Sequence, residues 1–203
     1  MMTQPPAMRV LDRIAALLAI FAGGAVAVLA VLIVLDIAAR SLLRFSLQGT
    51  DELGGYTLAL TGSLGLAYTL IRRGHPRIDI GFRFFPPRMR QVLHVVALAT
   101  LSALALFMSD HAIEEFRGTL AFGSITNTPL QTPLWVPQVF WVAGTVFFAM
   151  TALAMTAHGA MLLWQGRGRE VEGLYGPLTV DEELDEYRHP DAPSADMTSG
   201  KDN

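Results

Sequence analysis

The chain has 203 residues, 52% hydrophobic and only 16% charged, with a formal net charge of −3. Soluble domains carry about 25% charged residues, and here long stretches carry none, so composition points to a membrane protein. The absence of cysteine excludes disulfides, thiolate metal sites and cysteine nucleophiles. Charge is split along the chain: 13 basic and 8 acidic residues up to Arg169, then 2 basic and 10 acidic from Glu170 onward. Basic charge placed beside apolar spans sets membrane topology and does not argue for nucleic-acid binding.

Residues 1–13 form a short N-terminus in which Arg9 and Arg13 precede an apolar run from Ile14 to Leu35. That run is longer than the roughly 7–15 residues of a signal-peptide core and matches the roughly 20 that cross a bilayer. It predicts an uncleaved first span over about 14–39. Asp36, Arg40 and Arg44 follow at steps of four on one helical face. They read as an intrahelical ion pair at the outer interface, or as a charged edge facing a partner subunit. Thr50 resembles an N-cap, with Asp51 and Glu52 in the first turn, where acids suit the helix dipole.

The second predicted span covers about 53–71. It carries Gly55, Ala59, Ser63 and Ala67, small residues at every fourth position. In lipid, such a ridge lets helix backbones approach closely. The span ends at Arg72-Arg73-Gly74-His75-Pro76-Arg77-Ile78-Asp79, the opening of the most basic stretch in the chain. Gly74 reads as a C-cap glycine in a left-handed turn, and Pro76 blocks continuation. Ile78, Phe82 and Phe85, alternating with Arg77, Asp79 and Arg83, suit a short interfacial segment.

A third span over about 91–113 begins after Pro86-Pro87. Its pattern continues through Asp110, His111, Glu114 and Glu115, which predicts a helix projecting beyond the outer surface. Residues 117–133 are rich in Gly, Thr and Pro and read as an ordered outer loop. The fourth span covers about 134–164. Trp141 and Trp164 are about 35 Å apart along it, near the spacing of the two aromatic belts. Arg167 and Arg169 follow. The arginine distribution predicts both termini inside and loops near Thr50 and Asn127 outside. The expected architecture is therefore all-α: a four-helix membrane domain over 14–169, N-in and C-in, with an interfacial segment between helices 2 and 3. Residues 170–203 read as a disordered acidic cytoplasmic tail.

No Walker-type loop, paired metal-ligand motif or nucleophile–base constellation is visible, so no catalytic, cofactor-binding or metal-binding residue is assigned. Ionisable residues concentrate at helix ends, whereas ion carriers place them deep in the span. His94 and His158 lie at similar depth near the inner ends of helices 3 and 4. They leave open a haem-binding redox subunit.

The stretch from Thr50 to Pro87 has a recognisable shape: Asp51-Glu52-Leu53 opens a helix that ends in Ala67-Tyr68-Thr69-Leu70-Ile71 and the hinge Arg-Arg-Gly-His-Pro-Arg-Ile-Asp. Pro86, Arg88 and Arg90 follow, and Thr132-Pro133-Leu134-Trp135 leads into helix 4. This resembles the small permease subunit, DctQ type, of tripartite ATP-independent periplasmic (TRAP) transporters, over roughly residues 10–165. Pro76 departs from the pattern, where an aliphatic residue is expected. The resemblance implies a non-enzymatic inner-membrane subunit with a large permease subunit, a periplasmic solute receptor and membrane lipid as partners. Sodium-coupled uptake of a small solute, typically an organic acid, would be carried by the large subunit, whose scaffold this chain would brace. Interface or structural roles would then fall to Arg40, Arg44, Asp51, Glu52, Gly55, Ala59, Ser63, Ala67, Gly74, His75 and Asp79. A free-standing four-helix membrane protein is the remaining alternative.

Overall fold

The computed structural model describes residues 6–46, 48–74 and 85–176. They form four long helices, α1 (Pro6–Leu43), α2 (Thr50–Ile71), α3 (Pro87–Phe122) and α4 (Trp135–Trp164), and a short one, α5 (Gly168–Tyr175). Among the described residues there is no strand, only an isolated bridge between Ile125 and Pro133. The interfacial segment expected between helices 2 and 3, with His75 and Asp79, lies mostly outside the described residues, as does 177–203.

α1, α3 and α4 are long and apolar enough to cross a membrane. α2 falls short by composition, because Thr50, Thr57, Thr61, Ser63, Thr69 and four glycines dilute its 22 residues. Its hydroxyls are not left bare: Thr57, Thr61 and Thr69 each donate to a carbonyl four residues back. At 1.5 Å per residue the 36-residue α3 is about 54 Å long against a hydrocarbon core of roughly 30 Å. It therefore extends well past any bilayer, as its charged end suggests.

The helices lie side by side, α1 against α2, α2 against α4, and α4 against α3. α1 is the outer member of this row. Its covered residues are Ala15, Ala22 and Asp36, with Met8 and Leu29 half-covered, at steps of seven. A seven-residue repeat keeps one narrow seam facing a neighbouring helix, and most of the rest of α1 is open. Val28, Val31, Val34 and Ile37 are all about 60% exposed. The core lies instead around α4, where Leu70, Leu98, Phe148, Ala152, Met155 and Leu162 pack together.

Hydroxyls tie α3 to α4. Ser102 and Thr156 share a hydrogen bond of 2.8 Å, and Ser109 donates to the Thr145 carbonyl at 3.0 Å. Each also bonds within its own helix, so no hydroxyl is stranded in an apolar setting. Such bonds join membrane helices where burial of apolar surface cannot.

Three expectations about local structure are corrected. Thr50 is not the cap of α2 but its first residue. The cap position is Gly49, at φ 94°, and Leu130 of the loop between α3 and α4 fills the place its side chain would occupy. The left-handed residue at the end of α2 is Arg73, at φ 56°, and not Gly74. The N–H of Gly74 donates to Thr69 O at 2.8 Å and that of Arg73 to Leu70 O at 3.1 Å. This is the bond pair of a Schellman close with Arg73 in the position usually held by glycine. α4 ends the same way with Gly166 there, at φ 75°. Finally, residues 170–175 belong to α5, where the sequence placed the start of the tail. The helix forms because Val171 and Tyr175, four apart, share one face and are buried against the bundle.

Candidate functional site

Two polar assemblies stand at the two ends of the bundle. At one end, Glu52 in the first turn of α2 accepts hydrogen bonds from Tyr56 of its own helix and from Thr126 and Thr128 of the α3–α4 loop, the Thr126 bond measuring 2.8 Å. The loop is folded on itself, with Thr126 N–H donating to Thr132 O at 3.0 Å and Leu134 N–H to Ser124 O at 3.1 Å. Three hydroxyl donors thus clasp one carboxylate, and Leu130 rests on Gly49 beside it. Burial acts to raise the Glu52 pKa, but the hydroxyls of Thr128, Tyr56 and Thr126 outweigh it and hold it at about 2, below the ordinary 4.5. A carboxylate with a lowered folded pKa stabilises at pH values above its unfolded pKa and stops doing so as pH falls through the folded one. The clasp should therefore hold at neutral pH and weaken only between about 4.5 and 2. Glu52→Gln, which keeps an acceptor but loses the charge, should speed hydrogen exchange of loop amides 124–134. Exchange elsewhere in α3 and α4 should stay unchanged.

At the opposite end α5 folds back on the bundle. Arg90 of α3 pairs with Glu172 at 2.6 Å. The guanidinium of Arg73 donates to the Gly173 carbonyl at 2.5 Å. The Tyr175 hydroxyl and His158 Nδ1 share a hydrogen bond of 2.6 Å, with the rings edge to face. Burial pushes the Tyr175 phenol up, against the pull of the Arg73 charge. A phenol so held stays protonated and can donate to the imidazole. One short helix thereby joins α2, α3 and α4. It also explains Arg73: a left-handed conformation costs a non-glycine residue roughly 1–2 kcal/mol, and the bond to α5 holds it there. Arg73→Val loses that bond and adds a branched side chain at positive φ. It should lower the thermal midpoint in detergent more than Gly74→Ala, whose added methyl group would meet the Thr69 methyl at 3.2 Å and the Thr69 carbonyl oxygen at 3.6 Å.

The other residues singled out from sequence fall as follows. Arg40 pairs with Asp36 at 2.5 Å, and the Asp36 side chain is only 5% exposed. Asp36 and the buried His94 are ionisable groups that the sequence did not place inside the bundle. Arg44 does not share their face, because the helix ends at Leu43 and Arg44 turns away at φ 52°. Asp51 is exposed. The small ridge of α2 divides in two: Ser63 and Ala67 are buried, Gly55 and Ala59 are exposed. The buried half meets Gly144 of α4, where an added Cβ would lie 2.8 Å from Ser63. Sequence reasoning missed α5 and Gly144. The Val171–Tyr175 spacing was the available signal for the first, and a lone glycine in an apolar helix is a weak one for the second.

Among the described residues, no three His, Asp or Glu side chains stand together as a metal site. Long apolar helices in one row, tied by hydroxyls and closed by polar assemblies at both ends, define a multi-pass helical membrane protein whose polar groups serve packing. The family model for the DctQ component of tripartite ATP-independent periplasmic transporters matches residues 29–162, more than half of the chain, and the chain belongs to that family. The resemblance seen in the sequence is thereby borne out. The protein is a small TRAP transporter subunit of the inner membrane, and its family is one of transporter components rather than enzymes. No curated protein and no solved structure matches the chain.

Proposed function

We propose that this subunit braces the scaffold of the large permease subunit during sodium-coupled uptake of a small organic acid delivered by a periplasmic receptor. The observation that carries the reading is the uncovered side of the row. α1 leaves most of its apolar surface open, and beside it the ridge of α2 continues into Gly55 and Ala59, with nothing within 4 Å of the Gly55 Cβ position. A small ridge without a partner helix suits close contact with a helix of another chain. The polar groups inside the bundle are engaged in packing, which suits a support better than a conduction path.

On this reading both termini are cytoplasmic, with the Glu52 clasp outside and α5 inside. The native chain has no cysteine, so single cysteines report topology directly. Thr50→Cys and Asn127→Cys should label with an impermeant thiol reagent in spheroplasts, and Gly81→Cys and Ser194→Cys should not. Strong labelling at Gly81 would reverse the orientation. Co-purification with the large subunit in detergent tests the bracing role. Ala59→Leu should leave the isolated chain as stable as wild type and reduce recovery of the complex. Equal recovery would remove α2 from the contact, and no recovery with the wild-type chain would favour a free-standing membrane protein.

A further inference from the structure

We propose that the basic inner end of this protein is a docking surface for its own acidic segment 177–203. Contacts between helices bring distant parts of the sequence to one end of the bundle. Arg72, the cap of α2, stands 3.8 Å from Asp12 of α1, Arg73 just past that cap bonds to α5, and Arg90 of α3 pairs with α5. The starts of α1 and α3 therefore share one end with the close of α2 and with α5. Four exposed arginines are gathered there: Arg9, Arg13, Arg88 and Arg169. Among the described residues none of the four makes an ion pair, whereas Arg72, Arg90 and Arg167 at the same end each have a carboxylate.

The chain leaves this end at Gly176, which is buried against the bundle. The segment beyond it holds 8 acidic and 2 basic residues, and five of the six residues 181–186 are acidic. Five residues of extended chain reach roughly 17 Å, and neighbouring helix axes are about 8–10 Å apart. The acidic run is thus tethered within reach of the arginines at high effective concentration. An acidic run held this close to an anionic membrane leaflet is repelled by it unless nearby cations neutralise it. The four arginines supply that neutralisation, and α5 sets where the tail begins.

The test uses the full chain with Met89→Cys and Leu184→Cys, spin-labelled, in nanodiscs holding one copy. At low salt in phosphatidylcholine, the inter-label distances should show a narrow, short population. A free tail would instead spread over any position within roughly 29 Å of Gly176. The short population should vanish in 1 M salt, where screening acts within about 3 Å. It should also vanish in R9Q/R13Q/R88Q/R169Q and in D181N/E182Q/E183Q/D185N/E186Q, while both variants elute as the wild type does. Its absence at low salt, or its persistence in either variant, overturns the proposal. Repeating the measurement in phosphatidylglycerol separates the tail from lipid. A short population that survives there supports docking, and one that is lost shows that anionic headgroups hold the arginines instead.

Discussion

Gly144→Leu is expected to reduce the amount of folded, monodisperse protein more than any other single change in α4. The backbone and side chain of Ser63 lie 2.8 Å from the position of the missing Cβ, so even alanine forces α2 and α4 apart. Three further carbons cannot be absorbed by a rotamer change, since part of what they meet is backbone. Overpacking of this kind typically costs about 1–3 kcal/mol, occasionally more. The separation also forfeits dispersion contacts along the buried half of the ridge, at Ser63 and Ala67. Because α2 is the main neighbour of α1, α1 should loosen with it. Fluorescence-detected size exclusion and a thermal midpoint in detergent would measure the effect. Gly62→Leu is the matched control, because Gly62 is exposed and nothing lies within 4 Å of its Cβ position. Equal losses from both would mean that insertion of any leucine, not helix contact, is at fault.

Tyr175→Ala should release α5 while leaving the four long helices in place. Tyr175 is 5% exposed and Val171 fully buried. Together they are the apolar face of a helix of eight residues, too short to persist alone in water. Truncating a buried aromatic to alanine costs about 3–5 kcal/mol, far more than so short a helix can sustain. The loss should be local: rapid hydrogen exchange and protease cutting within 168–176, with α3 and α4 still protected. Tyr175→Phe keeps the ring and loses the hydroxyl with its bond to His158, so it should cost about 1 kcal/mol and leave α5 docked. Were Tyr175→Phe as damaging as Tyr175→Ala, the hydroxyl bond and not apolar burial would be what holds the clamp.

Most of the framework was legible in the chain before folding, and the reasons are local. A run of 22 apolar residues has few fates besides a bilayer span. Pro86 and Pro87 start α3 because proline suits the first turn. The motif around Asp51-Glu52 and Arg72–Asp79 pointed to the right family. The errors were also local in origin. Glycine is the usual occupant of a left-handed helix close, so Gly74 was the natural candidate. The conformation fell on Arg73 because a bond to a residue 100 positions away holds it. The small ridge was visible as a pattern, but a pattern every four residues does not say how far along the helix a partner extends.

By itself, then, the sequence determined the membrane class, the long helices and the family, because hydropathy, helix-breaking residues and short motifs act over a few residues. Tertiary structure alone decided the order of the helices in the row, the division of the α2 ridge at Ser63, the clasp of Glu52 by a loop more than 70 positions away, and the folding of residues 170–175 into α5. Each of these rests on a contact between distant segments. Its free energy exists only once two surfaces have met, and no local pattern records which two will meet.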